Sequence, residues 1–118
     1  MVTNSAGATG ERVVDTARAV VVMTTWPADG DPATLARALV TERLAACVSV
    51  LHEIQSTYEW EGKVCSDRER QLIVKTTRDR VPALYARLRE LHPYEVPEFL
   101  VLPVAAGSAP YLRWLERD

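Results

Sequence analysis

The stretch "VSVLHEIQSTYEWEGK" (Val48–Lys63) decides the fold. Val48, Val50, Ile54, Tyr58 and Trp60 hold alternate positions, and Ser49, Glu53, Gln55, Thr57 and Glu59 hold the others. Alternation over that length predicts one long strand with a bend or bulge along it. Glu61–Lys63 is a turn in which Gly62 supplies a positive φ. A second strand returns through "RQLIVKT" (Arg70–Thr76). The chain therefore contains a long central hairpin, and its neighbours must pair with it and cover it.

Upstream, "ARAVVVMTT" (Ala17–Thr25) is a β-branched apolar run without alternation, as expected of a strand buried on both faces. "WPADGD" turns the chain, and Asp31 is placed as an N-cap before Pro32, the favoured first helical residue. Leu35, Ala36, Leu39, Val40 and Leu44 fall on one side of a helix predicted over Pro32–Ala46. Downstream, Val81, Leu84, Leu88 and Leu91 mark a second helix with Pro82 in its first turn. "EFLVLPV" (Glu98–Val104) is the last strand, and a short helix over Pro110–Glu116 can pack Tyr111, Leu112, Trp114 and Leu115.

The order is strand, helix, strand, strand, helix, strand. It specifies an α+β, ferredoxin-like βαββαβ sandwich with a long central hairpin and a short C-terminal helix. Both helices fall on one face of the sheet. The other face and the far end of the hairpin keep apolar residues that two helices cannot shield, which predicts a homo-oligomer.

At 118 residues the chain makes one domain, and 47% apolar with 25% charged residues is ordinary for a globular protein. The formal charge is −2 with acids and bases interspersed, so no clustered basic face points to nucleic acid. Residues 1–17, small and polar, are expected to form a flexible tail ahead of a single domain over residues 18–118. "AVVVM" (Ala19–Met23) is too short to span a bilayer, and no signal-peptide pattern precedes it, so a cytoplasmic protein without membrane contact is expected. Cys47 and Cys65 lack a C-x-x-C spacing and are expected as free thiols, Cys47 buried at a helix-to-strand junction and Cys65 more exposed.

Candidate chemistry lies in three places. Tyr58 and Trp60 share a face of the hairpin, either as part of a pocket or as interface aromatics. Glu69 and Lys75 share a face of the returning strand, about 20 Å apart, and Lys75 is a candidate for meeting an anion or a structural ion pair. "HPYEVPE" (His92–Glu98) joins the second helix to the last strand. It is a rigid connector by its prolines, and His92 with Glu98 could donate to copper or zinc if a third ligand joined them. No P-loop, G-x-G-x-x-G or H-E-x-x-H occurs, and no nucleophile–base pair is visible, so no enzyme is expected.

Six stretches carry a resemblance: "RLAACV" (Arg43–Val48), "YEWEGK" (Tyr58–Lys63), "LIVKT" (Leu72–Thr76), "HPYEVPE", "LPV" (Leu102–Val104) and "YLRWL" (Tyr111–Leu115). In order and spacing, across roughly residues 19–118, the chain resembles the CutA-type divalent-cation tolerance proteins. The resemblance implies a tight homotrimer, an assembly shared with the PII signalling proteins, and tolerance to divalent cations such as copper. It also implies an intersubunit cleft lined by Tyr58, Trp60, Glu69, Lys75, His92, Tyr94 and Glu98, which would take a metal ion or a small ligand. The alternative it leaves is a PII-like signalling or scaffold trimer with a protein partner. Two positions that matter for metal depart from some relatives: Thr24 stands where some carry cysteine, and Leu91 where some carry a second histidine.

Overall fold

The computed structural model describes residues 12–118. Its elements, in chain order, are β1 (Val13–Asp15), β2 (Ala19–Pro27), α1 (Pro32–Thr41), β3 (Cys47–Trp60), β4 (Lys63–Thr77), a 3₁₀ turn (Arg78–Arg80), α2 (Val81–Leu91), β5 (Leu100–Pro103), β6 (Ala106–Ser108) and α3 (Ala109–Leu115). Four strands form an antiparallel sheet in the order β3-β4-β2-β5, the ferredoxin-like arrangement expected from the element order.

Alternation along the strands sorts the side chains. Val20 and Val22 of β2 and Leu72 and Val74 of β4 pack against Leu35 and Leu39 of α1 and Leu84 and Leu88 of α2. All of these are essentially buried, so this layer is the main core. The intervening residues face away from the helices. There Val21 pairs with Lys75 and Leu102, and Met23 with Ile73 and Leu100. Leu100 and Leu102 stay 56% and 42% exposed, so an apolar strip remains open on this face.

The helices end for identifiable reasons. α1 starts where the Asp31 side chain accepts the Thr34 N–H at 3.3 Å, with Pro32 behind it. Its predicted extension to Ala46 does not occur, because Arg43 adopts a left-handed φ of 60°. The turn this makes lets Leu44 N–H reach the Leu39 carbonyl at 2.9 Å and closes the helix. α2 ends at Leu91 because Pro93 forces His92 out of the helical region, to φ −76°, ψ 134°.

The N-terminal expectation is corrected over its last residues. The flexible tail was expected to reach residue 17, yet Val13–Asp15 pair with Ala106–Ser108 as a two-stranded ribbon. Val14 packs with Ala19, Leu112 and Leu115 in a second apolar cluster on the sheet face opposite α1 and α2. Apolar burial under α3 holds these residues although their own sequence has no strand periodicity. Residues 1–11 lie outside the described residues. The last strand is also shorter than expected, since Glu98 and Phe99 precede β5 and Val104 follows it.

The central hairpin has the expected irregularity, a register shift between Val50 and Glu53. β4 pairs with β2 only from Glu69 to Thr77, so the remainder of the hairpin projects as a two-stranded arm. It helps stretch the molecule to 54 × 25 × 24 Å. The turn at its tip places both Glu61 (φ 50°) and Gly62 (φ 79°) in the left-handed region. Ile54, Tyr58, Trp60 and Val64 are all exposed on the arm, and an isolated hairpin is marginal in water.

Candidate functional site

The connector "HPYEVPE" folds back towards the base of the arm, and His92 fixes it there. The ring is only 7% exposed. Its Nδ1 accepts the Tyr94 backbone N–H at 3.0 Å, so the neutral ring carries its proton on Nε2 and donates it to the Thr25 carbonyl at 2.7 Å. Trp26 meets the ring edge-on at a centroid distance of 4.7 Å, and Tyr94 lies against it at 4.8 Å. Burial holds the His92 pKa below its usual value, outweighing the Thr25 carbonyl and the Glu69 carboxylate, which push it up.

Glu69 sits beside this strut, 7% exposed, and its carboxylate accepts the Thr25 hydroxyl at 3.1 Å. Thr25 thus joins the two groups, its carbonyl to His92 and its hydroxyl to Glu69. Burial, and after it the neighbouring Glu69 carboxylate, raises the pKa of the Tyr94 phenol to about 12. Further out, Tyr58 donates to Asp67, a bond that holds its phenol at about 12. At the inner end Gln71 donates to the Thr24 carbonyl at 2.7 Å and to Glu98 at 2.9 Å.

These groups enclose a cleft of about 650 Å³ between the arm and the connector. The aromatic wall is Tyr58, Trp60 and Tyr94, and the carboxylates are Asp67, Glu69, Glu95 and Glu98. Of the residues expected to line a cleft, Tyr58, Trp60, Glu69, Tyr94 and Glu98 come together here. Lys75 does not: its ammonium donates to the Tyr111 hydroxyl at 3.3 Å, at the α3 end of the sheet. His92 lies behind the cleft wall as its support. Asp67, Thr25 and Glu95 were not foreseen. Asp67 was within reach of the pattern, because it is one pleat from Glu69 on the same face, with Ser56 opposite it.

The pair expected as metal donors does not fit a metal in this subunit. His92 has both ring nitrogens committed, and the Nδ1 lone pair that would bind an ion already accepts a backbone N–H. One Glu98 oxygen is held by Gln71. Among the described residues no three of His, Cys, Asp and Glu are grouped to hold an ion. The Thr24 hydroxyl is buried without a hydrogen-bond partner, so it is not presented to the cleft either. Both cysteines are free and half-buried, Cys47 with Ser49 Oγ at 3.9 Å and Cys65 less exposed than expected. No described helix is long and apolar enough to cross a membrane.

Fold and cleft together define a class: a small ferredoxin-like α+β domain with a projecting hairpin and an acidic, aromatic cleft along it. The family model of the "CutA1 divalent ion tolerance protein" matches residues 20–118. The divalent-cation tolerance protein CutA of Thermus thermophilus is 47% identical over 98 residues, spanning 83% of this chain and 95% of that one. CutA from Synechococcus elongatus superposes with a TM-score of 0.82 at 39% identity, over 88% of this chain and 92% of its own. A second structure of that protein, complexed with a Bis-Tris molecule, superposes at 0.80 with 38% identity, over 88% of this chain and 96% of that one. The chain belongs to the CutA1 divalent-cation tolerance family.

Proposed function

We propose that this chain serves divalent-cation tolerance as a cytoplasmic, non-catalytic homotrimer that binds a small ligand in clefts between its subunits. The observation that carries this is the position of the cleft. It runs along an arm whose Ile54, Tyr58, Trp60 and Val64 are left exposed by their own subunit. Burying that arm against a neighbour removes apolar surface from water and closes the open side of the cleft in one step. The strip along Met23, Ile73, Leu100 and Leu102 gives the neighbour a second apolar surface. The cation-tolerance names of the relatives favour this reading over a PII-like signalling role.

Within it, His92 holds the connector and does not chelate copper or zinc. Oxygen donors such as Glu69 and Glu98 suit hard cations better than copper. Size-exclusion chromatography with light scattering tests the assembly. The expected mass is three times the 13.2 kDa of one chain. A stable species of one-chain mass at micromolar concentration contradicts the reading.

A further inference from the structure

Histidine changes charge between about pH 5 and pH 8, and a buried ring whose contacts need one tautomer responds to that change. Of the two histidines in the chain, His52 is exposed on β3 and His92 is buried. The two hydrogen bonds of His92 respond differently to a proton. Its Nε2–H donates to the Thr25 carbonyl, and an imidazolium does the same. Its Nδ1 lone pair accepts the Tyr94 N–H at 3.0 Å, and that lone pair is what an added proton would occupy. Two N–H groups would then face each other, so the bond is lost and the Tyr94 peptide has to turn away.

The surroundings confine the movement. Arg89 on α2 donates to the Glu95 carbonyl at 2.7 Å, and Gln71 on β4 donates to the Glu98 carboxylate at 2.9 Å. These ties hold the far side of the connector while the ring stays on Thr25, so Pro93 and Tyr94 are the residues left to move. Around the ring, Glu69 on β4 favours the imidazolium and Arg89 opposes it. Tyr94, with a pKa of about 12, stays neutral throughout, and β2 presents only Thr25 and Trp26, which do not ionise. The Tyr94 ring lies 4.8 Å from His92 and forms part of the cleft wall, so turning its peptide moves that wall. We infer that His92 is an acid-operated catch: a proton gained at Nδ1 releases the Tyr94 N–H, turns the Pro93–Tyr94 segment and shifts the tyrosine wall of the cleft. The catch is made within one chain, and only its effect on a bound ligand rests on the function proposed above.

Amide ¹H–¹⁵N NMR of the full chain, from about pH 7.5 to about pH 5, follows ring and peptide together. The Tyr94 amide should shift with the same midpoint as the His92 ring. Below that midpoint its protection from hydrogen exchange, corrected for the intrinsic effect of pH, should fall by about tenfold or more. The amides of buried Val22 and Leu72 should keep their protection, which marks the opening as local. In His92→Asn, which keeps an acceptor for the Tyr94 N–H but does not titrate, the Tyr94 amide should be indifferent to pH over this range. A ring that titrates while the Tyr94 amide stays protected overturns the inference. So does a ring that remains neutral until Val22 and Leu72 exchange as well, or an amide that opens equally in His92→Asn. The first two outcomes decide on the wild type alone should the variant fail to fold. A ligand carried by protein purified from its host should leave on the acid side of the midpoint, and its retention there overturns the shift of the wall. Protein that carries no ligand removes the proposed function and leaves the catch standing, since that is observed at the Tyr94 amide.

Discussion

Replacing His92 separates a strut from a metal ligand, and its cost follows from the contacts of the ring. The imidazole satisfies two backbone groups, the Tyr94 N–H and the Thr25 carbonyl. In His92→Asn the side-chain oxygen can still accept from the N–H two residues on, but nothing reaches Thr25. Leaving that carbonyl unmet costs about 1–3 kcal/mol. His92→Ala loses both bonds and the packing against Trp26, for a total of about 3–5 kcal/mol. The wild-type ring adds a pH term. Its pKa is lowered in the fold, so between that value and the unfolded value of about 6.5 the unfolded chain binds one more proton. Stability from this residue is fully present above about pH 6.5 and is lost as the pH falls towards the folded pKa, at up to about 1.4 kcal/mol per pH unit. Denaturant unfolding at one fixed protein concentration, from neutral to mildly acidic pH, measures the difference between wild type and His92→Asn. The gap should narrow as the pH falls. Parallel curves over that range, or a proton on Nδ1 in two-bond ¹H–¹⁵N NMR spectra, refute the assignment.

Three further outcomes are expected. Thr24 buries a hydroxyl with no partner, so Thr24→Val should be neutral or raise stability by about 1 kcal/mol in chemical denaturation. Glu61 carries φ 50° ahead of Gly62, and Glu61→Asn, which suits a two-residue turn of this kind, should stabilise by up to about 1 kcal/mol by the same measurement. Since the His92 nitrogens are committed, copper titrated into His92→Ala should bind with the wild-type stoichiometry, and loss of a bound equivalent would make His92 a ligand.

Period two made the hairpin legible, and the capped, amphipathic helix made its cover legible, because both patterns record which side of an element is buried. The ribbon of Val13–Asp15 with Ala106–Ser108 was not legible, since three residues are too few to show a period and their partners lie at the other end of the chain. Nor was the end of α1, where arginine rather than glycine takes the left-handed position and Arg43 reaches the Asp118 carbonyl at 3.0 Å. At the site, the sequence supplied side-chain types but not their commitments. His92 has the chemistry of a ligand, but the carbonyl that occupies its Nε2 proton is 67 residues away. Lys75 shares a face of β4 with Glu69, yet it sits against Tyr111 at the opposite end. A shared face records direction, not proximity, and that is why Asp67, one pleat from Glu69, belongs to the cleft while Lys75 does not.

Native mass spectrometry of the chain purified from its own host tests the central claim most directly, because assembly and cleft occupancy appear in one spectrum. The expected ion is a trimer of the 13.2 kDa chain carrying small-molecule mass, with occupancy reduced in Trp60→Leu and Glu69→Gln. A monomer, or a trimer whose adduct is unchanged by both substitutions, would contradict the account.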